Sequence, residues 1–133
     1  MTNKTKRYKL TADKIRQYKL AANKAKNFLL IDEITYITSV IDTALEMLNE
    51  NDDLSKKQVA YSKSVLTRLM NKLFAQPIKL LNKVELETLN YLFELNEEAD
   101  MNLLKDKTYT EDMCNTFSNI RNSIATKVAR INC

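Results

Sequence analysis

Residues 113–131 read MCNTFSNIRNSIATKVARI, and this stretch decides the fold class. Its apolar residues recur at three- and four-residue intervals, which places them on one face of a helix. They are Met113, Phe117, Ile120, Ile124, Val128 and Ile131. The same period recurs in segments beginning at Ile34, Val59 and Leu86, and each predicts a further amphipathic helix. We therefore expect an all-α bundle of four to five helices.

Glycine and histidine are absent from the 133 residues, and Pro77 is the only proline. Tight hairpins and phosphate-binding loops need glycine, so β-rich folds and nucleotide-binding loops are disfavoured. The lack of histidine excludes His-based catalytic triads and His-ligated metal sites. We predict a non-catalytic protein with no cofactor and no metal.

Polar side chains mark the helix boundaries in place of glycine. Three pairs fit capping boxes, in which two side chains three residues apart bind each other's backbone amides. These pairs are Ser55 with Gln58, Asn82 with Glu85, and Thr108 with Glu111. Pro77 predicts the end of the second helix, because proline lacks an amide donor and disfavours helical geometry at the preceding residue.

A further apolar stripe lies upstream, and Asp32 and Glu33 interrupt it where it should continue. It consists of Ile15, Tyr18, Ala22, Ala25 and Leu29. The change of register predicts either one long kinked helix or a separate arm helix. We divide the chain into a basic amphipathic arm over residues 1–30 and a helical bundle over residues 31–133, with the arm either docked on the bundle or projecting from it.

Net charge alternates in sign along the chain. Residues 1–30 carry nine basic side chains and one acid, a net of +8. The next blocks are −7 over residues 31–53, +7 over 54–83, −7 over 84–112 and +3 over 113–133. We expect neighbouring helices to face each other with rims of opposite sign, where each exposed pair contributes only ~0 to 1 kcal/mol. The blocks after residue 30 nearly cancel, which leaves the arm as the candidate binding element.

Two other groups of side chains are interpreted structurally. The acidic cluster, Glu94, Glu97, Glu98 and Asp100, is expected to form either a solvated face or a surface that binds a basic partner. Four methionines lie on or beside the apolar stripes, and methionine most often fills gaps in a core. They are Met47, Met70, Met101 and Met113.

The arm combines cations with aromatic rings, a pattern that suits either a nucleic-acid backbone or an acidic protein surface. Its candidate binding residues are Lys4, Lys6, Arg7, Tyr8, Lys9, Lys14, Arg16, Tyr18, Lys19, Lys24 and Lys26. An arm of this kind could also exchange between two protomers, which would give a homodimer.

Location follows from the cysteines and from hydropathy. Cys114 and Cys133 would lie roughly 28 Å apart on one helix, too far to form a disulfide, and lone thiols fit a reducing compartment. The longest apolar run near the N-terminus, Phe28 to Ile31, is too short for a signal peptide or a membrane span. We expect a cytoplasmic protein without a membrane partner.

Small Lys- and Asn-rich helical chains without a catalytic constellation resemble accessory or inhibitor proteins of phages and mobile elements. This resemblance is one of composition and points to no specific family. It implies a protein partner in the nucleic-acid machinery, such as a nuclease, a polymerase or a CRISPR-type effector, inhibited by steric occlusion. The alternative hypothesis is direct nucleic-acid binding through the basic arm.

Overall fold

The computed structural model describes Thr11, Ala12 and residues 27–132. Residues 27–132 contain four helices and no strand. The helices are α1 (Ile31–Glu50), α2 (Lys56–Leu73), α3 (Lys83–Lys105) and α4 (Glu111–Asn132). Each helix contacts the next, and α1 also contacts α3 and α4. The all-α prediction is therefore confirmed for the described residues, and the packing is consistent with a bundle.

The core lies between the helices and is built from the periodic apolar stripes. Ile37, Leu69, Leu73 and Ile124 are fully buried at its centre. Other buried members of the same cluster are Leu29, Val40, Ile41, Leu66, Ile78, Leu81, Leu89, Leu92 and Val128. Each large side chain buried in this way stabilises the fold by about 1.5–3 kcal/mol, so the stripes supply most of the stability.

The chain enters α1 through a short non-helical segment. Residues 27–30 are not helical, and α1 begins at Ile31, so the hypothesis of one long kinked helix is wrong. Leu29 is buried in the core, and the carbonyl of Asn27 accepts a 3.0 Å hydrogen bond from the amide of Ile78. The predicted binding residues of the arm, from Lys4 to Lys26, lie outside the described residues.

Two of the three predicted capping boxes are confirmed. Ser55 and Gln58 bind each other's amides at 3.2 and 2.8 Å, and Asn82 and Glu85 do so at 2.9 Å in both directions. The third is wrong, because Thr110 rather than Thr108 caps α4, accepting a 3.2 Å hydrogen bond from the amide of Met113.

Thr108 is used instead in the motif that ends α3. Its amide donates to the carbonyl of Leu103 at 3.0 Å, and the amide of Lys107 donates to the carbonyl of Leu104 at 3.1 Å. This is the Schellman arrangement, which usually places glycine in the left-handed conformation just after the helix. Lys107 occupies that position with φ of 61°. Helix α2 ends before a cis peptide bond between Gln76 and Pro77.

We expect Lys107→Gly to raise the free energy of unfolding by about 0.5–1 kcal/mol, because glycine adopts positive φ without the steric penalty of a β-carbon. Urea denaturation followed by circular dichroism measures the change. The matched control is Lys105→Gly, which lies inside α3 and should destabilise by a similar amount. If Lys107→Gly instead destabilised the protein as Lys105→Gly does, the assignment of Lys107 to the left-handed position of the Schellman motif would be contradicted.

Candidate protein-binding groove

An open apolar groove lies between α1, α2 and α3. Its volume is about 490 Å³, and no residue of α4 lines it. The floor contains the buried side chains Val65, Leu66 and Leu92, which belong to the core side of α2 and α3. The groove is therefore a place where the core is left open to solvent, and it is hereafter called the groove.

The wall formed by α3 arises from a second apolar stripe beside the core stripe. Val84, Thr88, Tyr91 and Leu95 follow one another at intervals of four, three and four residues, and all line the groove. The adjacent stripe contains the buried Leu89 and Leu92. Since one core-facing stripe needs only part of the helix circumference, the extra stripe gives α3 an apolar face that the other helices do not cover.

The other two walls come from the hairpin of α1 and α2. Helix α1 contributes Ala44, Met47 and Leu48, one turn of its apolar stripe, followed by Asn51 beyond its end. Helix α2 contributes Tyr61 and Ser62 above the buried floor.

Large side chains around the groove are exposed. Met47 is 64% exposed, Tyr61 59% and Tyr91 61%. Sites for small molecules usually enclose their ligand and bury most of its surface. An open groove with exposed Tyr and Met instead resembles the grooves that receive the apolar side of an amphipathic helix. Among the polar side chains that line it, only Glu87 is charged.

Charged residues of both signs are sequence neighbours of the residues that line the groove. Glu50 adjoins Asn51 at the end of α1, and Glu94 adjoins Leu95 on α3. Both are exposed, and neither forms an ion pair with another described residue. On α2 the corresponding neighbour is Lys57, one turn before Tyr61.

Two ion pairs with buried carboxylates fix the beginnings of α1 and α3 in the same way. Glu33, in the first turn of α1, accepts hydrogen bonds from the amide of Leu30 at 2.7 Å and from Lys127 of α4 at 2.5 Å. Glu85, in the first turn of α3, accepts them from the amide of Asn82 at 2.9 Å and from Lys72 of α2 at 2.7 Å. Each carboxylate thus ties a helix start to a neighbouring helix.

The pKa values of these two carboxyls are lowered despite their burial. Burial alone would raise the pKa of Glu33, but the hydrogen bonds from Lys127 and from the amide of Leu30 lower it below its ordinary value. Burial likewise opposes the shift of Glu85, whose pKa is lowered by Lys72 and by the amide of Asn82. Both side chains therefore stay ionised near neutral pH. Each stabilises the folded state at pH values above its ordinary pKa, and this contribution is lost as the pH falls through the lower pKa of the folded state.

A third buried pair joins α3 to α4. Arg121 donates to Asp100 at 2.7 Å and to the hydroxyl of Tyr36 on α1 at 2.9 Å. Burial alone would lower the pKa of Arg121, but these hydrogen bonds raise it, so the guanidinium remains charged. The Tyr36 ring also lies against Phe93 and Phe117, with ring centroids 6.3 and 6.0 Å apart.

These ion pairs test the prediction that neighbouring helices face each other with charges of opposite sign. Each of these three pairs joins two blocks of opposite sign, as predicted, but the carboxylates lie inside the protein and not on exposed rims, and only the lysine of the Lys72–Glu85 pair is substantially exposed. Among residues 27–132, the one pair with both side chains exposed joins Lys83 and Glu87 of α3 at 4.0 Å. Asp100 was predicted to belong to a solvated acidic face, which is wrong for this residue because Arg121 holds it inside.

The methionines also depart from the sequence prediction. Met70 packs against the core, as expected, but Met47, Met101 and Met113 are exposed. Met47 lines the groove, where its exposed apolar side chain is available for contact with a bound segment. The sequence prediction assumed that each apolar stripe packs against another helix along its whole length. Near the ends of α1 and α3 the methionines are exposed instead.

Comparison with known protein families, with curated proteins and with solved structures finds no match. Among residues 27–132, no helix is both long enough and apolar enough to span a membrane. In the same part of the chain, no three acidic or cysteine side chains are grouped as ligands for a metal ion.

Proposed function

We propose that this protein is a non-catalytic binding protein whose groove receives the apolar side of an amphipathic helix from a partner protein. The observation that supports the proposal is the ring of exposed Met47, Tyr61 and Tyr91 around a floor of buried core residues. Tyrosines in the centre of an interface are frequent energetic hot spots, and methionine adapts its shape to the partner.

The groove lies on a frame suited to recognition. The core extends into its floor, and the Glu85 pair with Lys72 joins two of its three walls. The side chains of such a surface are already held in place, so they lose less conformational entropy on binding, and the affinity is higher. The composition of the chain suggests a narrower hypothesis. In this form of the proposal, the protein is an inhibitor or accessory factor that occludes a protein of the nucleic-acid machinery.

The experiment is a capture from nuclease-treated lysate of the source organism with three forms of the full chain. Tyr91→Asp places a charge in the groove and should weaken binding at least about 30-fold, the effect of losing a hot spot. Met101→Asp is the matched control, because Met101 is 56% exposed on the same helix but does not line the groove. Wild type and control should retain the same partner, and Tyr91→Asp should lose it.

Equal retention of every captured protein by the three forms would contradict the groove as the binding site. A parallel capture from untreated lysate tests the alternative hypothesis of direct nucleic-acid binding by the basic arm, which is favoured if material captured there is absent after nuclease treatment. In that case binding should weaken steeply as salt rises, because phosphate contacts release counterions.

A further inference from the structure

The side of α2 that faces away from the core is positively charged. Residues 54–84 contain seven basic side chains and no acidic one. Lys72 pairs with Glu85, and Lys83 pairs with Glu87. The other five basic residues form no ion pair with a described residue, and they are Lys56, Lys57, Lys63, Arg68 and Lys79. The acidic blocks on either side of α2 therefore leave most of its charge unneutralised.

The cations of α2 lie in two rows along an exposed ridge. The ridge residues recur at four-, three- and four-residue intervals, and they are Ala60, Ser64, Thr67 and Asn71. At about 3.6 residues per turn, Lys56 and Lys63 lie along one side of this ridge, and Lys57 and Arg68 lie along the other. These eight residues are hereafter called the basic face. Seven of them are exposed and Lys63 is half-buried, so the face is accessible to a ligand.

The basic face is separate from the groove and continues beyond the end of α2. None of its residues lines the groove. The amide of Lys79 donates to the carbonyl of Lys72 at 3.0 Å, which holds the exposed Lys79 beside the last turn of the helix. The acids nearest in sequence are Asp52 and Asp53, before the helix, and Glu85, which is buried. Positive charge is thus unopposed along the face itself.

The residue types on the ridge narrow the class of ligand. A protein partner is held mainly by large apolar or aromatic anchors, a membrane-bound helix inserts apolar side chains, and single-stranded nucleic acid stacks on aromatic rings. Alanine, serine, threonine and asparagine supply none of these. Duplex nucleic acid, in contrast, is bound chiefly through its phosphates. The major groove of B-form DNA admits a helix, whereas that of duplex RNA is too narrow.

We propose that the basic face binds double-stranded DNA, with α2 in the major groove and its two rows of cations on the phosphates of the two strands. An α-helix with its side chains is about 10–12 Å across, and the groove is about 12 Å wide. Ser64, Thr67 and Asn71 then point toward the base edges. This inference does not rest on the proposed function, because the basic face and the groove share no residue.

Binding of the full chain to a labelled DNA duplex of about 20 base pairs, or two helical turns, tests the proposal by fluorescence anisotropy. Lys63→Gln with Arg68→Gln removes one cation from each row and should weaken binding about tenfold. The slope of log affinity against log salt concentration should also fall by about 1.8, because each lost phosphate contact removes about 0.9.

The matched control is Lys105→Gln with Arg130→Gln, which removes the same net charge from exposed positions outside the basic face. Its affinity should stay within about threefold of the wild-type value, with an unchanged salt slope. Circular dichroism checks that both double variants keep their helices. Equal weakening by the two would overturn the proposal, because net charge alone would then explain binding, and so would wild-type affinity in the Lys63 and Arg68 variant.

A second pair of variants tests whether the ridge faces the DNA. Thr67 and Thr116 are both exposed, and the hydroxyl of each donates to the carbonyl four residues earlier at 2.8 Å. Thr67→Glu places a carboxylate on the ridge and should weaken DNA binding at least about tenfold. Thr116→Glu, on α4, should leave the affinity near the wild-type value. Equal affinities of these two variants would show that α2 does not lie in the major groove.

Other polyanions separate the proposal from its rivals. Duplex RNA of the same sequence should bind more weakly than the DNA, and RNA binding of equal strength would contradict insertion of α2 into the major groove. Binding to polyglutamate but not to DNA would overturn the proposal and assign the basic face to an acidic protein. None of these variants changes a groove residue, so loss of DNA binding and loss of capture by the groove are distinguishable.

Discussion

Replacing Arg121 by methionine is expected to lower the free energy of unfolding by about 3–5 kcal/mol, the range for removing one partner of a buried ion pair. Methionine keeps much of the aliphatic volume, so the loss comes from the charge. Asp100 and the Tyr36 hydroxyl, which both accept hydrogen bonds from Arg121, would lose their donor inside the protein. Urea denaturation measures the effect.

The double substitution Asp100→Leu with Arg121→Met should recover more than half of the loss, because an apolar pair of similar volume removes the stranded carboxylate. Lys83→Met is the control for charge removal at the surface and should change the stability by less than about 0.5 kcal/mol. A double variant as unstable as Arg121→Met alone would show that Arg121 contributes by packing rather than by pairing with Asp100.

Lys127→Met is expected to destabilise the protein by about 3–5 kcal/mol near pH 7 and by much less near pH 4. In the wild type the pKa of Glu33 lies below its ordinary value of 4.5. Its contribution is therefore present above that value and is lost as the pH falls through the lower pKa of the folded state. Without Lys127, the lowering effects of its hydrogen bond and its charge are lost, so the pKa of Glu33 should be higher in the variant than in the wild type.

The stability that ionised Glu33 contributes above its ordinary pKa should then be smaller in the variant than in the wild type. The difference in stability between the two proteins should therefore be largest well above pH 4.5 and should shrink as the pH falls and Glu33 becomes protonated in both. Urea denaturation of both proteins between about pH 4 and pH 8 measures the difference. Adding Glu33→Gln should remove the pH dependence that belongs to this site. A stability difference that is constant with pH would refute the account.

Much of the fold follows from local sequence because the helices obey local rules. The stripe through Ile37, Ile41 and Ala44 and the capping boxes of α2 and α3 depend only on spacing and on side-chain chemistry within one turn. The predicted start of α4 at Thr108 is wrong for a physical reason. Thr108 belongs to the motif that ends α3, and Thr110 therefore caps α4 instead.

The buried charges could not be assigned from sequence in the same way. Glu33 seemed to interrupt the apolar stripe, although it continues the stripe as a buried residue with Lys127 as its partner 94 positions away. Nothing local distinguishes Asp100 from its exposed neighbours Glu97 and Glu98, because only the approach of α4 makes it buried.

The groove was also missed, although a clue was present in α3. Val84, Tyr91 and Leu95 form a second apolar stripe, and two stripes make this helix apolar over more of its circumference than one core face requires. That excess predicts an uncovered face but does not tell which neighbour leaves it open. The arm residues proposed as the binding site from sequence, Lys4 to Lys26, stay a prediction.

The glycine-free helix ends have a consequence for the unfolded chain. A residue with a β-carbon samples fewer backbone conformations than glycine, so a chain without glycine has less conformational entropy to lose on folding. The turns between the four helices use polar caps and one strained lysine, Lys107, in place of glycine. Within residues 27–132 the steric cost is thus confined to one position, whereas the entropic advantage extends to every position of the chain.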